Sequence, residues 1–189
     1  PYGCPGQHTI AVHKEWLGWL NANQIVTVAD KSTADVLLER LAQPTGKGAL
    51  LIKVPIGATG RYYTVEARQQ VGYDTALAAA TVIIHEVDEQ RDEAPAHVVD
   101  PDGNGDVNDA GAQWLPGERF DGEGGVSICV KNVTPEGFRV AVGRNAQPNC
   151  TAVADLSSAS IAAANSLPRP GQVVPISINL VNYGGPATN

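Results

Sequence analysis

The chain has 189 residues with 13 basic and 20 acidic side chains, which gives a formal net charge of −7 at pH 7. A hydrophobic fraction of 43% supports the core of one domain of ordinary size or of two small ones. The acidic balance, without any Lys/Arg cluster, argues against nucleic acid or an anionic membrane as a partner. No apolar run is long enough to span a bilayer, so membrane insertion is not expected.

Residues 8–20 carry the one convincing helical pattern. Their apolar side chains recur at helical spacing and form a broad stripe, with Lys14 and Glu15 off it. We expect an amphipathic helix that buries this stripe in the core: Ile10, Val12, Trp16, Leu17, Trp19 and Leu20.

From residue 25 onward the pattern is that of short strands separated by turn clusters. Strands are predicted at residues 25–28, 36–41, 49–54, 61–67, 81–87 and 96–99, and in a hairpin over residues 126–142. No helical pattern lies between them. The predicted fold is therefore mainly β: one N-terminal helix followed by an antiparallel sandwich or barrel, of which we favour the sandwich.

Three polar residues in or beside the predicted strands are candidates for chemistry. Glu66 and Arg68 lie on the same face of a strand, and a structural ion pair is favoured over a catalytic carboxylate because no nucleophile or second acid has sequence support nearby. His85 lies in the apolar strand 81–87, which is more typical of a hydrogen-bonded core residue than of a metal ligand.

Residues 100–109 place an oxygen-bearing side chain at every second position, and Gly103 and Gly105 let the backbone curl around them. A hard cation such as calcium takes about six to eight oxygen ligands. The first six residues fit the calcium-loop template, but Gly111 stands where the template has its bidentate Glu. The sequence predicts a calcium site, with a solvated acidic turn as the alternative; its candidate ligands are Asp100, Asp102, Asn104, Asp106, Asn108, Asp109 and Glu118.

The chain holds three cysteines, two of which flank the predicted hairpin. Cys129 and Cys150 could form a disulfide across its outer end, which would leave Cys4 over. The alternative is three buried thiols in a reducing compartment. Because calcium is plentiful and disulfides persist outside the cytoplasm, the calcium loop favours a secreted or cell-surface protein.

Residues 151–189 read as a strand, a turn and a strand. They resemble the opening of the immunoglobulin-like repeats of bacterial surface proteins, in the motifs at residues 155–157 and 182–187. This segment is too short to bury a sandwich core, so we expect it to pair with the preceding domain or with another chain.

The remaining sequence resembles the part of secreted zinc metallopeptidases, of the immune inhibitor A and gametolysin type, that lies C-terminal to the catalytic centre. The segments that carry this resemblance are residues 13–20, 63–68, 72–74, 82–87 and 100–120. It implies three regions: 1–22 as the helical remnant of a catalytic-type domain, 23–150 as a β-sandwich module with the calcium loop, and 151–189 as the start of the repeat.

The family's zinc motif His-Glu-x-x-His-x-x-Gly-x-x-His is absent, since His85-Glu86 has no histidine four residues after His85. The chain contains no Met either, and we expect it to be a mature product or a fragment. The leading hypothesis is a non-catalytic, calcium-stabilised module of a secreted zinc peptidase, whose partner is an upstream catalytic domain. The alternatives are a surface protein that associates with copies of itself through strand pairing, and a carbohydrate-binding module using Trp16, Trp19 and Trp114.

Overall fold

Alternating apolar side chains build the two larger of three β-sheets in this computed structural model. It describes residues 8–77, 79–100, 102–106, 110–152, 156–163 and 174–182. The α-helix found there is α1, Ala11–Trp16. The strands are β1 Ile25–Thr27, β2 Ser32–Glu39, β3 Leu51–Pro55, β4 Tyr62–Arg68, β5 Thr81–Val87, β6 Ala96–Val98, β7 Arg119–Gly122, β8 Val126–Val133, β9 Gly137–Arg144, β10 Leu156–Ala163 and β11 Ile176–Asn182.

The two larger sheets pack face to face as a sandwich. Sheet I has the strand order β1-β3-β4-β5-β6, and sheet II has the order β2-β9-β8-β7. Sheet II is antiparallel throughout, whereas sheet I is mixed because β1 runs parallel to β3, with Ile25 opposite Leu51. The mainly β prediction is confirmed, although sheet I is not purely antiparallel. The intervening strand β2 belongs to the opposite sheet, so β1 and β3 enter sheet I in the same direction.

The core lies between the sheets and is filled by the inward side chains of alternate positions. Val65 and Ala67 of β4 face Phe138, Val140 and Val142 of β9, and all five are fully buried. Burying a side chain of this size contributes about 1.5–3 kcal/mol. At one end, Tyr63, Phe120 and Trp114 pack edge to face and close the core with aromatic rings.

Helix α1 covers the outer face of sheet I and forms a third layer. Ala11 packs with Leu41, Leu50 and Leu51, while Val12 packs with Tyr62 and Val87. The helix is shorter than residues 8–20, and its predicted apolar stripe is wrong at its end: Trp16, Leu17 and Trp19 are 42%, 58% and 64% exposed. Gly18 takes a positive φ of 72° just after the helix, which ends the helical periodicity before Trp19.

Strands β10 and β11 form a separate antiparallel two-stranded sheet, with Leu156 opposite Asn182 and Ala163 opposite Ile176. Ile176 and Ile178 of β11 are exposed. Within the described residues, no helix is long and apolar enough to cross a membrane.

Candidate functional site

A buried network of charged side chains lies between sheet I and α1. Glu66 and Arg68, two residues apart on β4, both point to the outer face of the sheet, where an Arg68 Nη atom lies 2.7 Å from Glu66 Oε1. The other Nη of Arg68 lies 3.2 Å from both carboxylate oxygens of Asp74, which ends a short 3₁₀ turn, Gly72–Asp74. All three side chains are buried, so each charge depends on its partners for solvation.

The same network fixes the N-terminal end of α1. The backbone N–H of Ala11 donates to Glu66 Oε2 at 2.5 Å, and the N–H of His8 donates to Asp74 Oδ1 at 3.1 Å. Arg68 in turn donates to the carbonyl of His8 at 2.9 Å. The two carboxylates thereby satisfy backbone donors that lack a partner within the helix.

Lys14 is the second buried cation of this layer. Its Nζ donates to the carbonyl of Leu41 at 3.2 Å, and burial, aided by the positive charge of Arg68, lowers its pKa. Lys14 and Arg68 balance the charges of Glu66 and Asp74. The predicted pair of Glu66 and Arg68 is therefore part of a neutral structural network that holds the helix on the sheet.

His85 and Thr64 are cross-strand neighbours under the same helix. They are 3% and 1% exposed, and neither His85 Nδ1 nor Thr64 Oγ1 has a hydrogen-bond partner among the described residues. His85 is a core residue as expected, but the expected hydrogen bond is missing at Nδ1. Burial lowers the pKa of His85, partly opposed by the charge of Glu66.

Glu39 forms a second buried polar cluster that the sequence did not predict. Its carboxylate accepts hydrogen bonds from the backbone N–H groups of Thr45, Gly46, Lys47 and Gly48 and from the Thr45 hydroxyl, at 2.5–3.0 Å. Burial acts to raise the pKa of Glu39, but these hydrogen bonds outweigh it and hold the pKa below its ordinary value. A turn cluster directly after a strand that ends in Glu is the signal that could have revealed this arrangement.

In the predicted calcium loop, Asp100, Asp102 and Asn104 accept hydrogen bonds from backbone N–H groups of the loop itself. Asp100 accepts from the N–H groups of Asp102 and Gly105, Asp102 from that of Asn104, and Asn104 from that of Asp106. The bond from Gly105 is the main reason that the pKa of Asp100 is lowered.

Three predicted ligands remain, and Glu118 is the one that lies within the described residues. Asn108 and Asp109 lie outside the described residues. Glu118 is exposed and accepts a hydrogen bond from the N–H of Leu115 at 2.6 Å, in the turn before β7. The described residues contain no group of three or more His, Cys, Asp or Glu side chains that could hold a metal ion. The side chains of all the predicted ligands offer oxygen atoms, which are the ligand atoms that calcium takes.

Cys129 and Cys150 are joined by a disulfide, with their Cα atoms 5.4 Å apart. Because Ile128 and Val130 face the core, Cys129 between them points to the outer face of sheet II. The bond fastens the segment that follows β9 to this face. The third cysteine, Cys4, lies outside the described residues.

An exposed apolar surface lies where α1 ends. We call it the helix-end surface and define it by Trp16, Leu17 and Trp19. The ring of His13 lies 5.2 Å from that of Trp16. Trp114 does not contribute, since it is 6% exposed and packs on Phe120 in the sandwich core, so a sugar-stacking platform of three tryptophans is not present.

No protein-family model, curated protein sequence or solved structure matches the chain. The class of protein is therefore defined by the described residues alone: a disulfide-bonded β-sandwich module with a helix docked on one sheet.

Proposed function

We propose that the chain is a non-catalytic module of a secreted zinc metallopeptidase and that it packs against an upstream catalytic domain. The observation that carries this proposal is the helix-end surface. One side of α1 is fixed by buried charges, and its C-terminal end presents two tryptophans and a leucine to solvent. Contiguous exposed apolar side chains typically mark an interaction site, and Trp is enriched at the centres of interfaces.

A non-catalytic role is supported by the contacts of the three buried carboxylates described above. Glu66 and Asp74 are committed to Arg68 and to backbone donors, and Glu39 is enclosed by its own loop. A general acid or base needs access to a substrate, and these three carboxylates are buried. The work of the module is then structural.

A location outside the cytoplasm is supported by the disulfide. Structural disulfides persist in oxidising compartments and are rare in the cytosol of mesophiles. Calcium, which is plentiful there, would be held by the oxygen side chains of residues 100–109 and would add stability to the folded module.

The experiment that tests the function is peptide mapping by mass spectrometry of the polypeptide as its source produces it, read upstream of Pro1. The motif His-Glu-x-x-His-x-x-Gly-x-x-His there, with a methionine shortly before Tyr2, supports the proposal. An upstream region without those histidines rules out the peptidase.

The helix-end surface gives the first specific prediction. In the isolated chain, acrylamide is expected to quench Trp16 and Trp19 but not the buried Trp114. In the longer polypeptide that contains the catalytic domain, we expect Trp16 and Trp19 to be protected as well. Trp19→Ser should weaken the contact between the two domains and change the stability of the isolated chain by less than about 0.5 kcal/mol.

The matched control for this contact is Tyr73→Ser. Tyr73 is equally exposed but lies near His8, at the other end of α1. Tyr73→Ser should leave the tryptophans of the longer polypeptide protected from acrylamide. If they lose this protection in Tyr73→Ser, or if Trp16 stays protected in Trp19→Ser, the domain contact does not use the helix-end surface.

Calcium gives the second prediction. At a concentration one hundred times its dissociation constant, the ion should add about 2.7 kcal/mol to the free energy of unfolding, and EDTA should remove this gain. Asp102→Asn with Asp106→Asn should abolish the gain, whereas Asp92→Asn, an exposed acid outside the loop, should preserve it. Isothermal calorimetry and thermal unfolding with and without calcium measure both effects, and identical curves would leave the loop a solvated turn.

A second candidate function is a structural surface protein that associates with copies of itself. The observation that favours it is the pair β10–β11, whose Ile176 and Ile178 lie 63% and 58% exposed. Carbohydrate binding has less support, because Trp114 is buried.

A further inference from the structure

An open groove of about 710 Å³ lies where the edges of the two sheets face each other. Its sides are β1 of sheet I and β2 of sheet II, which are both edge strands. Val26, Ala34 and Val36 line it with apolar atoms, and all three pack against the core between the sheets. The turn that holds Glu39, through Gly46 and Gly48, closes one end.

The backbone of β2 has free hydrogen-bonding groups along this groove. Near its end, the carbonyl of Leu37 accepts from the N–H of Ala49 at 2.9 Å, and the N–H of Glu39 donates to the carbonyl of Ala49 at 2.7 Å. The backbone N–H and C=O groups of alternate residues in a strand point to the same side. Those of Thr33 and Asp35 therefore point to the same side of β2 as those of Leu37 and Glu39, towards the groove. Their N–H and C=O groups have no partner among the described residues.

Strand β11 lacks what the groove could supply, which is a neighbouring strand and cover for its apolar face. It belongs to a two-stranded sheet, which is marginally stable in water without further strands or a covered face. Ile176 and Ile178, two residues apart, project from one face and are mostly exposed. The strand carries no charged residue, so nothing in it repels the groove rim, where Asp35 is already paired with Lys131 and Arg139.

We propose that β11 of a second copy of this chain adds to the free edge of β2 and extends sheet II. Ile176 and Ile178 then cover Val26 and Ala34, and the backbone of β11 pairs with Thr33 and Asp35. The occupant comes from a second copy because β11 is not paired with β2 of its own chain. Reciprocal donation by both copies closes a twofold dimer. This assignment does not depend on the peptidase proposal.

The test compares two variants of the 189-residue chain by sedimentation velocity. Thr33→Pro removes an outward N–H that β9 does not use and places a ring on the edge, which blocks strand addition. Ile178→Lys places a charge on the donated face. The matched controls are Thr33→Ala, which keeps the N–H, and Ser177→Lys, which places the same charge on the opposite face of β11.

The wild-type chain and both controls are expected to sediment at twice the 19.7 kDa chain mass, and each variant alone as a monomer. Mixing the two variants should restore a weaker dimer held by one of the two strand pairings, since Thr33→Pro still donates β11 and Ile178→Lys still offers an intact edge. Near-UV circular dichroism verifies that Thr33→Pro is folded. Residue 178 lies outside the sandwich, so Ile178→Lys tests the proposal even if Thr33→Pro fails to fold. A wild-type monomer at every concentration, a dimer that persists in either variant, or a mixture that stays monomeric overturns the proposal.

Discussion

Replacing Arg68 with Leu is expected to lower the free energy of unfolding by about 3–5 kcal/mol, because it removes the cation that contacts two buried carboxylates and leaves Lys14 alone to balance their charges. Glu66 and Asp74 are both buried, and Arg68 is the cation that contacts each of them. A typical domain has a total stability of roughly 5–15 kcal/mol, so this loss is a large part of the margin. Urea unfolding at neutral pH, followed by circular dichroism, measures it.

The matched control is Arg139→Leu, since Arg139 pairs with Asp35 on the surface at 3.4 Å. An exposed pair contributes between about zero and 1 kcal/mol, so this variant should stay close to the wild type. Hydrogen exchange at the Ala11 amide gives an independent readout, because that N–H donates to Glu66. A similar small effect for both arginine variants would show that the buried network does not hold α1.

The central strands of sheet I are the part of the fold that the sequence predicts best. The strand predicted at 61–67 is β4, Tyr62–Arg68, and the strand predicted at 81–87 is β5, Thr81–Val87. Both lie between other strands and have helix α1 or the core on each face, so their residues are almost all buried. A dense apolar run flanked by turn residues is a strong signal for such strands.

Two errors have a common cause in tertiary context. The helix prediction fails after Trp16 because apolar spacing does not reveal where a glycine will adopt a left-handed backbone. Strand β7, Arg119–Gly122, was not predicted, because its sequence Arg-Phe-Asp-Gly has one apolar residue and depends on pairing with β8. Local patterns carry little information about either event.

The site residues also divide into those that a local sequence pattern predicts and those that depend on the folded chain. Glu66 and Arg68 could be predicted as a pair because two residues apart on a strand means the same face. Asp74, Lys14 and Glu39 could not, because their partners come from other elements or from a loop whose backbone direction is set only in the folded chain. Charged side chains are almost never fully buried unless paired, so composition alone would have placed all three at the surface.

Removing the disulfide is expected to cost about 3 kcal/mol of stability. Cys129 and Cys150 are 21 positions apart, and a bond that closes a loop of this size removes that much entropy from the unfolded chain. The double variant Cys129→Ala with Cys150→Ala should show this loss in urea unfolding, together with looser attachment of the segment that follows β9. The wild-type chain in reductant should fall to a similar value.

Reductant should leave the double variant itself unchanged, which separates the bond from other effects of the reagent. Cys4→Ala is the control for a cysteine outside the bond and should match the wild type. The chain has three cysteines, so thiol titration of the unreduced, unfolded protein should detect no more than one. Detection of three thiols would show that the disulfide is not formed. The observation that supports a location outside the cytoplasm would then be lost, since a cross-link of this kind stabilises the fold only where oxidising conditions preserve it.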